Sequence, residues 1–381
     1  MRIVLVLLLM SLCACASVTP NARVSCDLEI KDYAFRPYAP LAAAKAKPGE
    51  YSVLALSAGG EYGAYGAGFL QGWAQAEGGS RRHIDSVTGV SAGALLATHA
   101  FLDRDDELAR LLSTLGNEDL VKERFPLALL WADSIYDSSP KAALIARVMP
   151  DDLIARVPPY ADERHRGLYI GIVDLSSGDF YAVDMVKLAR RGDREGYDCF
   201  RAVLNASSAI PIAFSPQVMK DGSYVDGGAR SYLFLYRLAL DQGANFEERK
   251  VYAIVNGNLS VTPENPPHKL LPILQRTFEV TTDQLQKSAV IGIDYAAKVL
   301  APKPFDTYYA AAAQATQACR AKAADAIKAE CAPGGWMGAA PLFCTPFMRC
   351  LVEEGREEGL RQAWKRTPQE IGIAPSLRRA Q

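Results

Sequence analysis

The chain has 381 residues, and its 42 Lys and Arg side chains nearly balance 43 Asp and Glu side chains, which gives a formal net charge of −1. This balance argues against a nucleic-acid-binding protein, which usually carries a basic excess, and against an acidic disordered protein. The hydrophobic fraction of 49% is that of an ordinary globular protein. With only four histidines, the chain is a poor candidate for a multi-histidine metal site.

The N-terminus has the pattern of a bacterial lipoprotein signal. Arg2 precedes an apolar stretch, Ile3–Met10, and small residues follow, which is typical of a secretory signal. The sequence Leu12-Cys13-Ala14-Cys15 resembles a lipobox, in which the last cysteine is lipidated and becomes the mature N-terminus. We therefore predict a signal peptide over residues 1–14 and a lipid anchor at Cys15. The protein would then be exported and held in the bacterial cell envelope, at the outer membrane or the periplasmic face.

Two strand–turn–helix units follow a proline-rich tether that we assign to residues 15–49. Each unit has a short apolar run, a glycine-rich turn and an apolar helical stretch. The predicted elements are a strand at Tyr51–Leu56, a loop at 57–63, a helix at Ala64–Gln75, a strand at Ile84–Thr88, a turn at Gly89–Gly93 and a helix at Ala94–Leu102. This repetition predicts an α/β fold with a largely parallel sheet, in which both turns lie at the ligand-binding ends of the strands.

The rest of the chain continues the α/β pattern and ends in an extension. Residues 103–166 mix amphipathic helical segments with prolines and could form a cap over the site, but their sequence indicates no function. We predict a hairpin of Leu168–Asp174 and Asp179–Asp184, a helix at Arg201–Ser208, a turn at Asp221–Ser223, a strand at Val251–Val255 and a mostly helical region over His268–Leu300. Residues 50–300 would form the catalytic domain, and residues 301–381 a helical extension that contains cysteines.

Six cysteines lie beyond Cys15, and export makes disulfide bonds plausible among them. They are Cys26, Cys199, Cys319, Cys331, Cys344 and Cys350. Six cysteines allow 15 pairings, and the sequence does not choose among them. The cluster of four in the C-terminal region indicates a stapled segment. The alternative is that some of these side chains are simply small buried hydrophobic groups.

Gly89-Val-Ser91-Ala-Gly93 matches the G-x-S-x-G pattern of a nucleophile elbow. In that turn a serine sits between a strand and a helix, where its hydroxyl is exposed and helix N–H groups favour negative charge. The preceding glycine-rich loop, residues 57–63, is able to supply backbone N–H groups to an oxyanion hole. The alternative of a dinucleotide-binding loop fits poorly, because the G-x-G-x-x-G spacing is absent and Glu61 would repel a pyrophosphate.

Asp226-Gly227-Gly228 follows a predicted turn and a short strand. Two glycines after the aspartate allow a close approach to another loop, so the carboxylate could accept the proton of Ser91. An ordinary β-turn aspartate is the alternative for this motif taken alone.

Taken in this order, the three motifs resemble the patatin-like phospholipase family of lipid acyl hydrolases, over about Tyr51 to Gly257. The resemblance implies a three-layer α/β/α fold with a mainly parallel central sheet. It implies that Ser91 is the nucleophile and Asp226 its general base, without a histidine, and that the oxyanion donors are the N–H groups of Gly59, Gly60 and Ala92. The substrate would be a membrane lipid or another fatty-acyl ester, hydrolysed through an acyl-enzyme without a metal or cofactor.

The chain departs from the family pattern in the oxyanion loop. Ala58 stands where the family has its first glycine, which requires a negative φ at this residue. Tyr62 replaces the usual Arg or Lys, and Glu61 adds a carboxylate. A phospholipid is the leading substrate that the resemblance implies, but if the missing cation matters for binding anionic head groups, a neutral ester becomes the better prediction.

Two other functions stay open on the sequence alone. Ser91, Asp226 and His268 occur in the chain order of an α/β-hydrolase triad. A surface lipoprotein that binds lipid or protein without turnover would also fit the altered loop.

Overall fold

The computed structural model describes residues 25–36, 50–78, 84–164, 166–235, 248–261, 263, 265–266, 268, 270–301, 303–334 and 341–373. The predicted signal peptide, Cys15 and most of the predicted tether lie outside the described residues. The helices are α1 (Gly63–Gln75), α2 (Ala92–Phe101), α3 (Asp105–Thr114), α4 (Ser139–Val148), α5 (Asp151–Ile154), α6 (Val157–Arg164), α7 (Met185–Ala189), α8 (Arg194–Ser207), α9 (Leu270–Tyr295), α10 (Ala312–Lys322), α11 (Ala324–Glu330) and α12 (Thr345–Leu360).

The strands are β1 (Ala34–Phe35), β2 (Glu50–Leu56), β3 (Ser86–Val90), β4 (Lys122–Glu123), β5 (Tyr136–Asp137), β6 (Gly167–Asp174), β7 (Phe180–Asp184), β8 (Gln217–Met219), β9 (Gly222–Asp226), β10 (Glu248–Val255) and β11 (Asp306–Ala311). In the described ranges, nine of them form one sheet with the order β1-β7-β6-β3-β2-β10-β11, and β9 pairs with both β6 and β8. The pairs from β6 through β3, β2 and β10 to β11 are parallel. The remaining pairs in this sheet, at β1, β7, β8 and β9, are antiparallel, and the mainly parallel sheet is therefore confirmed.

Strand β2 shows why helices cover both faces of the sheet. Successive side chains of a strand point to opposite faces. Val53 and Ala55 lie in a core formed with α9, whereas Leu54 and Leu56 lie in a larger core formed with α1, α2 and α12. Because β2 is buried on both faces, it reads as a continuous apolar run, as strands of covered parallel sheets do. The predicted three-layer α/β/α architecture is confirmed.

Glycines allow helices α1 and α12 to pack with their backbones in close approach. A Cβ added to Gly68 would lie 2.0 Å from the carbonyl oxygen of Val352, and one added to Gly355 would lie 2.2 Å from that of Tyr65. Helix α12 therefore lies directly on the helix that follows the predicted oxyanion loop.

The region beyond residue 300 contributes more to the fold than a helical extension would. Strand β11 pairs in parallel with β10, from Lys250 opposite Asp306 to Val255 opposite Ala311. The short stretch Asp306–Ala311 has no strict alternation, so its sequence alone does not distinguish a buried strand from a helix segment. The central sheet thus continues into the predicted extension.

The six cysteines in the described ranges form three disulfide bonds. Cys319 pairs with Cys350 and Cys331 pairs with Cys344, which confirms the predicted stapling of the C-terminal region. Cys26 pairs with Cys199 of α8 and ties the lead-in segment to the catalytic domain.

We expect Gly355→Ala to destabilise the fold, because the new methyl group would overlap the α1 backbone. The expected loss is about 1–3 kcal/mol of unfolding free energy, the usual range for overpacking. Gly292→Ala in α9 is the matched control, since a Cβ there meets no atom within 4 Å and alanine favours a helix. Urea unfolding of both variants checks this, and equal stability of the two would contradict it.

Candidate active site

Ser91 lies in the sharp turn between β3 and α2 and has a φ of 55° and a ψ of −125°. A positive φ is rare for a residue with a side chain and is usually retained at functional sites. The flanking glycines make the turn possible. A Cβ on Gly89 would lie 2.2 Å from the Gly93 carbonyl oxygen, and one on Gly93 would lie 2.3 Å from that of Leu56. The turn therefore has the geometry of a nucleophile elbow.

Asp226 ends strand β9 and meets Ser91 in the protein interior. The Ser91 hydroxyl lies beside the Asp226 carboxyl group and lowers its pKa by hydrogen bonding, and each residue is only 4% exposed. The Asp226 Oδ1 atom also accepts a hydrogen bond of 2.7 Å from the Gly228 N–H. The structure thus brings the predicted nucleophile and the predicted base into direct contact.

The environment of Asp226 makes its carboxylate unusually basic. Burial raises its pKa to about 6, although the hydrogen bonds from Ser91 and Gly228 and the charge of Lys141 oppose this rise. Loss of solvation disfavours the charged form of a buried carboxyl group. A dry setting of this kind is what a serine–aspartate pair requires, because an ordinary aspartate is a weak base.

The C-terminal end of α8 holds both members of this pair. The Ser207 Oγ atom accepts a hydrogen bond of 3.0 Å from the Ser91 N–H and donates one of 2.8 Å to the Gly171 carbonyl oxygen. The Ala209 carbonyl oxygen accepts a hydrogen bond of 3.0 Å from the Asp226 N–H. Sequence reasoning placed Ser207 in the predicted helix Arg201–Ser208 and assigned it no role.

The predicted oxyanion loop packs between the other two motifs. A Cβ added to Gly63 would lie 2.9 Å from the Cβ of Ala92, and one added to Gly228 would lie 3.3 Å from the Cβ of Ala58. Ala58 is not among the residues with positive φ in the described ranges, as the sequence required. The three motifs therefore meet at one place.

Backbone N–H groups at this place belong to the first turns of helices. Gly60 begins a 3₁₀-helix, Gly60–Tyr62, and Ala92 begins α2. The first N–H groups of a helix have no acceptor within that helix. Gly59 precedes Gly60 at a position where a Cβ would lie 1.7 Å from the Asn256 carbonyl oxygen. The predicted donors Gly59, Gly60 and Ala92 thus belong to the two segments that meet beside Ser91.

The C-terminal region contacts the two unusual residues of this loop. The Glu61 carboxylate accepts a hydrogen bond of 3.1 Å from the Cys344 N–H, and burial raises its pKa to about 7. Arg320 donates a hydrogen bond of 3.4 Å to the Tyr62 hydroxyl, and the Tyr62 ring packs edge-on against Phe347 at 5.8 Å. Sequence reasoning missed these contacts, because they join residues more than 250 positions apart.

The two described histidines, His99 and His268, differ in their exposure. His268 is exposed, whereas Ser91 and Asp226 are buried, and His268 is not among the groups that shift the pKa of Asp226. His99 is buried in α2 beside the Leu95 carbonyl oxygen, and burial lowers its pKa. His83 and His165 lie outside the described residues.

Within the described ranges, no group of three or more His, Cys, Asp or Glu side chains is arranged to hold a metal ion. None of the described helices has both the length and the apolar character needed to cross a bilayer.

The family model for patatin-like phospholipases matches residues 54–236. Residues 54–236 form a patatin-like phospholipase domain. This domain runs from within β2 to ten residues beyond β9, and it includes the predicted oxyanion loop, the elbow and Asp226-Gly-Gly228. The predicted resemblance is thereby confirmed, and the domain belongs to a family of lipid acyl hydrolases.

Other comparisons add little to the patatin-like assignment. The crystal structure of VipD from Legionella pneumophila is 12% identical in sequence, with a TM-score of 0.36, over 84% of this chain and 68% of VipD. A similarity this distant carries no argument about function. No curated protein matches the chain significantly.

Proposed function

We propose that this chain hydrolyses fatty-acyl esters of membrane lipids, as a phospholipase A or esterase, with Ser91 as nucleophile and Asp226 as general base. The observation that carries the proposal is the position of the Ser91 hydroxyl beside a buried carboxyl group whose pKa it lowers, at a strained turn inside a patatin-like domain.

The first half of the reaction transfers the acyl group to the enzyme. Asp226 accepts the Ser91 proton while the serine oxygen attacks the ester carbonyl carbon. Because the pKa of Asp226 is about 6, the carboxylate is mostly ionised at neutral pH, and activity falls as the pH drops below about 6. The protonated Asp226 then gives its proton to the departing alcohol, which leaves an acyl group on Ser91.

The N–H groups of Gly59, Gly60 and Ala92 stabilise the negative charge that develops on the carbonyl oxygen. Fixed donors near that oxygen are worth about 2.7–4 kcal/mol each in acyl-transfer enzymes. In the second half of the reaction, water gives a proton to Asp226 and attacks the acyl group. Breaking the bond to Ser91 releases the fatty acid, and the proton on Asp226 returns to the serine oxygen.

A phospholipid is the substrate class that we favour. The loop lacks the family's basic residue, but Arg320 brings a cation to the neighbouring Tyr62 from the C-terminal region. A guanidinium group suits a phosphate, which it binds through paired N–H groups. Glu61 repels such a head group less than its sequence position suggests, because a pKa of about 7 leaves it partly protonated at neutral pH.

An exposed apolar surface on residues 125–131 suits contact with lipid. Phe125, Leu127, Leu130 and Trp131 are all more than half exposed, and large apolar side chains in such numbers are unusual on a soluble surface. Ile135, which follows this segment, donates its N–H to the carbonyl oxygen of Ile212. Ile212 is itself 57% exposed.

Hydrolysis of a medium-chain ester and of phospholipid vesicles by the purified mature protein tests the proposal. We expect Ser91→Ala and Asp226→Asn to lower kcat/KM at least a hundredfold on both substrates. Ser91→Ala removes the attacking hydroxyl, and Asp226→Asn removes the carboxylate that accepts its proton. His268→Ala is the control and should keep full activity. Circular dichroism of each variant confirms that its fold is intact.

Two outcomes would contradict this. A folded His268→Ala variant without activity would indicate a serine–histidine–aspartate triad. A wild-type protein that binds vesicles but turns over neither substrate would indicate a binding protein.

We also propose that Cys15 is lipidated and anchors the protein in the cell envelope, near its substrate. Acyl chains on one cysteine contribute about 0.8 kcal/mol for each buried CH₂ group. Cys15→Ser should therefore move the protein from the membrane fraction to the soluble fraction, while Cys13→Ser should leave it in the membrane. If the unsubstituted protein is already soluble, the anchoring proposal is wrong.

A further inference from the structure

A lysine is buried in the interior behind the Ser91–Asp226 pair. Lys141 lies in α4 and is 3% exposed. Its Nζ atom donates hydrogen bonds to the Asn205 carbonyl oxygen at 2.9 Å and to the Ser208 Oγ atom at 3.2 Å. The same ammonium group lies 4.8 Å from the centre of the Phe214 ring. Burying an ammonium group is costly unless it is paired or hydrogen-bonded, so this position calls for an explanation.

The acceptors of Lys141 belong to the segment that holds the pair in place. Asn205 and Ser208 are at the C-terminal end of α8, where carbonyl oxygens lack helical partners and favour a positive charge. Between and beside them are Ser207, which accepts the Ser91 N–H, and Ala209, which accepts the Asp226 N–H. A cation that fixes this helix end therefore fixes the backbone of both members of the pair.

The charge of Lys141 also reaches Asp226. The groups that act on the Asp226 carboxyl are the Ser91 hydroxyl, the Gly228 N–H and the Lys141 ammonium, and each lowers its pKa against the effect of burial. Tyr232 is the further titratable group that faces Asp226, and its own pKa is raised mainly by burial, so it stays neutral. Among the described residues, Lys141 is thus the cation that acts on the proposed base.

We propose that Lys141 is a positioning residue of the active site, whose ammonium group fixes the end of α8 and whose charge stabilises the ionised form of Asp226. This inference rests on the proposed function of Ser91 and Asp226 and adds a third buried group to their pair. It also gives a role to the region 103–166, in which sequence reasoning found no functional residue.

The effect on pH dependence follows from the sign of the charge. A nearby positive charge favours the carboxylate over the carboxylic acid. Without that charge, Asp226 stays protonated to a higher pH, so the reaction rate begins to fall at a higher pH. We call this fall at low pH the acid limb of the pH–rate profile. A merely structural role would lower the rate equally at every pH and leave the limb in place.

The rate at which a fluorophosphonate labels Ser91 in the full chain, measured against pH, tests the inference. Lys141→Gln keeps a hydrogen-bond donor and removes the charge, and we expect it to move the acid limb up by about one pH unit. Lys141→Arg keeps the charge, so its acid limb should lie within about half a pH unit of the wild-type limb. Arg201→Met is the matched control, because Arg201 is a buried cation of α8 that bonds Met149 and Asp198 instead.

Folded Lys141→Gln and Arg201→Met variants whose acid limbs both match the wild type would overturn the inference while the proposed function stands. A wild-type protein that is not labelled at any pH would instead contradict the proposed function.

Discussion

The burial of the Asp226 carboxylate is the constraint on which the rest of the site depends. In water an aspartate is too weak a base to activate a serine, and only the loss of solvation raises its proton affinity enough. Burial alone would raise the pKa further and leave less of the carboxylate ionised at neutral pH. The hydrogen bonds from Ser91 and Gly228 and the charge of Lys141 oppose that tendency, and the resulting pKa of about 6 lies near the value that suits a general base at neutral pH.

The fold provides this environment by bringing distant segments into close backbone contact. Glycines at the elbow and in the oxyanion loop let the ends of β2, β3 and β9 meet without side chains between them. Strand β11 and helix α12, both beyond residue 300, complete the sheet and cover α1. The disulfides of the C-terminal region hold the segment that contacts Glu61 and Tyr62, so this region supports the oxyanion loop as well as the core.

The sequence predicted the parts of this structure that depend on local pattern. The strand at β2, the hairpin of β6 and β7, and the elbow around Ser91 each have a signal within a few residues. The roles of Lys141 and Ser207 depend on contacts across more than 60 positions, and neither residue type is distinctive alone. The sequence did not predict the disulfide pairing or strand β11 for the same reason, because their partners lie far away in the chain and are selected only on folding.

The most direct test of the account is to locate the covalent adduct after treatment with a fluorophosphonate, by peptide mass spectrometry of the wild-type, His268→Ala and Asp226→Asn proteins. We expect an adduct on Ser91 in the wild type and in His268→Ala, and little or none in Asp226→Asn. An adduct on a different residue, or equal labelling of Ser91 when Asp226 is replaced, would contradict a nucleophile activated by a buried carboxylate.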